Sequence, residues 1–401
     1  MNPWRIFRST LLNLLLLILQ KFYSRLPVHP ALVNFSAVRR MLVVPGQDRL
    51  RDFFMTTPAL RALRQHFPQA QITAVVCDSV AEMALHDPSI DSVIAVPDRL
   101  VGWSWKRIRQ VRVKLHEGFD LAIVFNTVTR LLTSDLLAAW SHSTFILGSG
   151  RWRYPNDHRN FFYDLEAPYW DRPRHRIERN LDIARHIGVD ASNLRLQLEL
   201  LPEELAEARQ FLRDRGIADD DLLITLHLGA HQPLEQWPVE RFAALAALLH
   251  HDYGIKILTM WGPGEEGLGA EFLQALDFEP CVASGRTLRQ AAALVACSRV
   301  LICNAGGVMC IGASLDALVI AIFGAPDPDE WKPIGDHVVA VRASSHHCAD
   351  VGSDLVLEAL KELLGEKLSS PPQTTPEPSF DISEGVLQQY QDVLSKFDKN
   401  S

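Results

Sequence analysis

The 401 residues, 47% hydrophobic and 22% charged, have an ordinary globular composition and length enough for two domains. A net charge of −8 argues against nucleic acid as a partner. The six cysteines, Cys77, Cys281, Cys297, Cys303, Cys310 and Cys348, show neither a C-x-x-C pair nor the Cys/His spacing of a zinc site, which implies free thiols in a reducing compartment and no metal ligands.

Residues 1–36 form a basic, apolar segment of their own. The first 40 residues carry Arg5, Arg8, Lys21, Arg25, Arg39 and Arg40 but no acid, around an apolar run from Leu11 to Leu19 broken only by Asn13. A spanning helix needs about 20 apolar residues, so this run is too short to cross a bilayer. No small-residue cleavage site follows it, which argues against a secretory signal. Basic flanks with Trp4, Phe7, Phe22 and Tyr23 favour an interfacial helix on an anionic leaflet. The other reading is a helix packed on the protein's own body.

From Met41 to about Asp190, strand-like runs (Met41–Val44, Gln71–Cys77, Val93–Val96, Leu121–Phe125) alternate with helical patterns at Ala59–His66 and Lys106–His116. A second series follows at Leu222–Leu226, Ile255–Met260, Val300–Cys303 and Leu318–Phe323. Such alternation predicts parallel sheets covered by helices, hence an α/β fold of two Rossmann-like domains, 37–200 and 203–365, with the binding site in the interdomain cleft. Residues 366–381 read as a Pro-rich linker. In 382–401, Asp381-x-x-Glu384 reads as a capping box before a last helix with Val386, Tyr390, Val393 and Phe397 on one face, to be covered by the body, a membrane or a protein.

Four stretches carry candidate chemistry. Asp48-Arg49-Leu50-Arg51-Asp52-Phe53-Phe54-Met55-Thr56-Thr57-Pro58-Ala59-Leu60-Arg61 joins the first strand to a helix, with Thr57-Pro58 expected to open that helix through a capping hydroxyl and a proline. It places the Asp52 carboxylate at the sheet's carboxyl edge. Leu226-His227-Leu228-Gly229-Ala230-His231, followed by Gln236-Trp237-Pro238, is a strand ending in a small-residue turn whose N–H groups can face an anion. Trp261-Gly262-Pro263-Gly264-Glu265-Glu266-Gly267 spells G-x-G-x-x-G, but two glutamates at a helix N-terminus would repel a dinucleotide's pyrophosphate; the plainer reading is acids complementing the helix dipole. Asn304-Ala305-Gly306-Gly307-Val308-Met309-Cys310 is a Gly-Gly turn into a small-residue helix, where backbone amides can approach a diphosphate closely.

Taken together and in this order, these stretches resemble the signatures of glycosyltransferase family 9, the heptosyltransferases of lipopolysaccharide core synthesis: D-R-I-G-D-V-V-x-T-T-P-A-L-R, H-P-G-A with K-x-W-P, and N-D-S-G-x-x-H-I-A-A-A. His175-Arg176-Ile177-Glu178-Arg179-Asn180-Leu181 resembles the family's H-x-x-E-x-x-L segment, though singly it reads as a helix surface. The resemblance spans about Arg40 to Leu364 and implies a GT-B arrangement. It implies inverting, metal-independent transfer of a sugar, heptose, from a nucleotide sugar, ADP-heptose, to a lipopolysaccharide-core or related lipid-linked saccharide acceptor. No cofactor is implied beyond that donor substrate. Asp52 takes the place of the family's base. Gly229, Ala230, His231, Glu265 or Glu266, Gly306, Gly307 and Met309 fall on the nucleotide-sugar side, and Arg51 and Arg130 on the acceptor side. The implied location is cytoplasmic, peripheral at the anionic inner face of the cytoplasmic membrane.

The chain departs from the pattern where charge matters. Glu235 stands where the family has a phosphate-associated lysine, Ala305 where it has Asp, Cys310 where it has His, and Arg51 where it has Gly. A carboxylate beside a diphosphate is repulsive. These losses support a rival reading, a non-catalytic member acting as a membrane-associated binding or scaffold protein; a different nucleotide-dependent reaction is a third. Retention of Asp52 favours transfer.

Overall fold

The computed structural model describes residues 3–46, 50–98, 102–127, 131–151, 154 and 159–365, with side chains from Asn13 onward. The expected linker at 366–381, the expected helix at 382–401, and Arg130 lie outside the described residues.

Among the described residues, twelve strands build two six-stranded sheets. The first has β1 (Arg40–Val44), β2 (Gln71–Cys77), β3 (Ser92–Val96), β4 (Leu121–Val124), β5 (Phe145–Ser149) and β6 (Leu165–Ala167), in the order β3-β2-β1-β4-β5-β6. The second has β7 (Leu223–His227), β8 (Lys256–Met260), β9 (Cys281–Val282), β10 (Val300–Asn304), β11 (Leu318–Phe323) and β12 (Val338–Arg342), in the order β12-β11-β10-β7-β8-β9. Every pairing is parallel. Each sheet reverses direction beside its first strand, and such a switch point leaves a crevice at the carboxyl ends.

Alternation along the strands divides the core. Met41 and Val43 join Leu301, Cys303, Val319 and Ala321 in one continuous cluster, so one face of each sheet shares a single core. Leu42, Val44, Ile94, Val96, Ala122 and Val124 face the other side of the first sheet; Ile224, Leu226, Ile302, Ile320 and Ile322 face the other side of the second.

The N-terminal helix, Pro3–Tyr23, packs in part on the protein's own body, as the second of the two sequence readings expects. Leu16 is buried against the outer face of the first sheet, Leu19 and Tyr23 pack beside it, and Trp140 Nε1 donates to Tyr23 Oη at 3.1 Å. Beyond the helix, Arg25 pairs with Asp164 at 2.8 Å and donates to Ser143 O. Leu14, Leu15, Leu17, Ile18 and Phe22 stay exposed. No helix among the described residues is long and apolar enough to cross a membrane.

Candidate active site at the carboxyl ends of the two sheets

After β1 the chain passes Gly46 and turns into a short helix, Leu50–Phe54, whose Phe53 and Phe54 are buried in the shared core. Burying those two rings turns Arg51 and Asp52 toward the cleft. The expected capping role of Thr57 is not what its hydroxyl does: it donates back to Phe54 O at 2.8 Å, and Thr56 Oγ1 donates to Asp52 O at 2.7 Å. Both hydroxyls finish the short helix, satisfying carbonyls that its length leaves open.

Asp52 faces Arg176, the first residue of helix Arg176–Arg185. Arg176 Nη2 donates to Asp52 Oδ1 at 3.3 Å and Nη1 donates to Thr127 Oγ1. Thr127 Oγ1 donates to Asn180 Oδ1 at 3.1 Å, and Asn180 Nδ2 reaches Met55 O and Thr56 Oγ1. The ring of contacts fixes the Asp52 helix against Arg176–Arg185 and the turn after β4. Gly46 makes room for it, since a Cβ there would lie 3.2 Å from the guanidinium and 3.3 Å from Asp52 Cβ. The segment around Arg176 therefore is not a helix surface: burial weakens this arginine's hold on its proton, and Asp52 offsets part of that loss.

The second domain supplies the opposite wall. Helix Gly307–Ser314 follows β10, and its first residue abuts Leu50: a Cβ on Gly307 would fall 2.8 Å from Leu50 Cβ. Gly306 borders open space, with no atom closer to such a Cβ than Asn304 O at 3.9 Å. The two glycines thus differ, Gly306 flanking room for a ligand and Gly307 allowing the domains to touch. The Met309 side chain is fully buried in the shared core and has no surface to offer a nucleotide. Ala305 is buried, its N–H bonded to Ile322 O. Cys310 is buried too; burial pushes its thiol up to about 12, with Arg51 and Asp52 close enough to act on it in opposite senses. The Arg51 guanidinium lies 4.1 Å from the centroid of Trp331, across the cleft, rather than open to solvent. Nearby, His175 Nε2 meets Lys332 O at 2.7 Å and Arg179 approaches Glu330 at 3.8 Å.

Gly229 ends the strand-turn after β7, and a Cβ there would overlap the Glu265 carboxylate, whose Oε2 accepts from Gly262 N at 2.7 Å. Glu266 instead accepts from Gly264 N at 3.1 Å and stays exposed, where its own backbone amide and that of Gly264 hold its carboxyl below the usual range. Of the two candidate glutamates, Glu265 is the one turned onto Gly229. Ala230 is half-buried and His231 exposed. His227, half-buried at the end of β7, is pushed down to about 4 by burial and stays neutral at ordinary pH.

Asn304 carries no role in the sequence reading, yet it organises this wall. Buried at the end of β10, it donates to Leu228 O and Gly229 O at 3.0 Å each and accepts from Trp237 N at 2.8 Å. Trp237, fully buried, donates to Val351 O. Glu235 is half-buried nearby; Cys348, pushed up to about 11 by burial first, also feels its charge. Among the described residues, no three His, Cys, Asp or Glu side chains converge to hold a metal ion.

The family model for glycosyltransferase family 9 (heptosyltransferase) matches residues 108–359, more than half of the chain. The chain belongs to glycosyltransferase family 9. This glycosyltransferase is 25% identical over 352 residues to lipopolysaccharide heptosyltransferase 2 of Salmonella typhimurium, covering 81% of this chain and 99% of the relative. Among solved structures it resembles the family 9 glycosyltransferase of Veillonella parvula (TM-score 0.71, 23% identity, 83% of this chain and 98% of that one). It also resembles Escherichia coli heptosyltransferase WaaC with ADP (TM-score 0.65, 20% identity, 81% and 99%). Its paired parallel sheets are the GT-B arrangement of these glycosyltransferases.

Proposed function

We propose that this family 9 glycosyltransferase transfers heptose from ADP-heptose to a lipopolysaccharide-core or related lipid-linked saccharide, with inversion and without a metal ion. The observation that carries the proposal is Asp52: a carboxylate at the carboxyl edge of the first sheet, paired with a buried arginine, beside the first turn of Gly307–Ser314. The match to a lipopolysaccharide heptosyltransferase and the likeness to a heptosyltransferase solved with ADP support the choice of donor and acceptor.

In this mechanism Asp52 accepts the acceptor hydroxyl's proton as that oxygen bonds to the anomeric carbon from the face opposite the diphosphate. The bond to the diphosphate breaks, the configuration inverts, and ADP leaves with the bonding pair. Amides at the Gly306-Gly307 turn take up the charge on the leaving diphosphate, and Arg51 brings a cation to the acceptor side. Glu265 holds the donor ribose, and the exposed apolar face of Pro3–Tyr23 rests on the anionic inner face of the cytoplasmic membrane. Glu235 is a repulsive element near the diphosphate, so Glu235→Lys should tighten binding by roughly 1 kcal/mol.

A calorimetric screen with ADP-, UDP- and GDP-sugars tests the reading. ADP-heptose should bind, and bind more tightly to Glu235→Lys. Binding of a UDP- or GDP-sugar in its place would replace the donor, and binding of none would refute transfer.

A further inference from the structure

The outer face of the first sheet carries a second helix rich in cations, Trp105–Leu115, with sequence Trp-Lys-Arg-Ile-Arg-Gln-Val-Arg-Val-Lys-Leu. It holds five cations, Lys106, Arg107, Arg109, Arg112 and Lys114, and no acid, in a chain of net charge −8. Its Val111 and Leu115 are buried in the same cluster as Leu16, so this helix and Pro3–Tyr23 pack on one face of one sheet. The two are also linked through Trp140, which bonds to Tyr23 on one side and lies 5.6 Å from the Arg112 guanidinium on the other.

What the helix shows to solvent does not suit a plain protein surface. Trp105 is 88% exposed and Val113 64%, flanking shallow depressions of about 760 and 540 Å³. Arg107 is spoken for, paired with Asp78 at 2.5 Å and bonded to Ala95 O. Lys106, Arg109, Arg112 and Lys114 make no ion pair among the described residues, and the one acid just beyond the helix, Glu117, is held by Arg40 at 3.0 Å. Unpaired cations interleaved with an exposed indole and an exposed aliphatic side chain match the interfacial layer of an anionic bilayer, where lipid phosphates meet the cations and Trp sits at headgroup depth.

We infer that Trp105–Leu115 is a second membrane contact, an electrostatic one, which together with the apolar face of Pro3–Tyr23 forms a single two-helix docking surface for anionic phospholipid. This rests on the membrane placement proposed above and deepens it. Two contacts on one rigid domain fix orientation, which one helix lying on a membrane does not. The sheet face opposite the docking surface belongs to the core shared with the second domain, so that core lies on the side of the sheet away from the lipid.

The test uses the full chain with phosphatidylcholine vesicles, with and without phosphatidylglycerol, in flotation. The protein should float with the anionic vesicles, less so in high salt. Lys106→Glu/Arg109→Glu/Lys114→Glu should weaken that binding on the order of a hundredfold, at about 1 kcal/mol per cation. Trp105→Ser should weaken it several-fold on both vesicle types. These side chains are exposed, so melting temperature should hold and serves as the folding control. If the triple variant floats like the parent while Leu14→Gln/Ile18→Gln/Phe22→Gln does not, the second contact is refuted and the first survives. If the parent ignores anionic vesicles altogether, both fail. If the parent dimerises in solution and the triple variant does not, with vesicle binding unchanged, the face is a contact between copies and the inference is overturned.

Discussion

Asp52 and Arg176 meet at 3.3 Å with side-chain exposures of 15% and 3%, so the carboxylate is tied to a cation that has little other contact with water. Its chemical and structural roles are therefore coupled. Asp52→Asn should lower transfer by roughly 10²–10⁴-fold, because the amide cannot accept the proton. It should also cost about 1–3 kcal/mol of stability, because it strips a buried guanidinium of its counter-charge. Arg176→Gln should cause a similar loss of stability but a smaller loss of rate, since it disturbs position and leaves the base in place. Parallel turnover and melting measurements separate the two; full activity in a destabilised Asp52→Asn would make Asp52 structural only. The position of Asp52 was legible in the sequence because a strand-to-helix junction is a local feature. Arg176 was not, because an arginine among His175, Glu178 and Arg179 has the composition of a solvated helix face. The signal available was spacing: Arg176, Asn180 and Ala184 recur at four-residue intervals, next to the stripe of Ile177 and Leu181, and polar residues at core spacing imply buried partners.

At the level of elements, eight of the strands announce themselves as apolar runs, with ends shifted by a residue or so. The runs do not mark β5, β6, β9 and β12. Of these, β6 and β9 are edge strands of only three and two residues, and β5 breaks off at Gly148 and Ser149; β12 is an edge strand that does carry an apolar run, Val338–Val341, which the sequence reading does not pick out. The sequence likewise leaves Glu265 and Glu266 equivalent, because the choice between them is made by the glycine at the end of another strand. Glu265 fills the space that Gly229 leaves. Gly229→Ala should push out that flexible carboxylate at little cost in stability while weakening ADP affinity about as much as Glu265→Ala does. The double variant should be no weaker than either single one, since both disable the same contact. Calorimetry with ADP on the four proteins checks this, and additive losses would show that Glu265 and Gly229 act on the donor independently.

For the molecule as a whole, the contact between the sheets' domains is a packed surface as well as a cleft. One core cluster runs through both, Leu198 N bonds to Ser314 O at 3.0 Å, and the buried Arg289 Nη2 donates to Glu199 O at 2.9 Å. One close approach is Gly307 against Leu50, where a new Cβ would meet Leu50 Cβ at 2.8 Å and Cδ2 at 2.9 Å. Cβ is fixed to the backbone, so no side-chain rotation relieves that overlap. Gly307→Ala should therefore wedge the domains apart, destabilising by about 1–3 kcal/mol as overpacked sites do, and lowering turnover more than ADP affinity, because Asp52 and the first turn of Gly307–Ser314 come from opposite sides of the wedge. A second change decides whether the wedge is the cause. Leu50→Gly removes the Cβ that would clash, which Leu50→Ala does not, so adding Leu50→Gly to Gly307→Ala should recover turnover. Failure of that rescue, with Leu50→Gly alone active, would place the effect of Gly307 in the donor's own contacts with its amide and not in the meeting of the two domains.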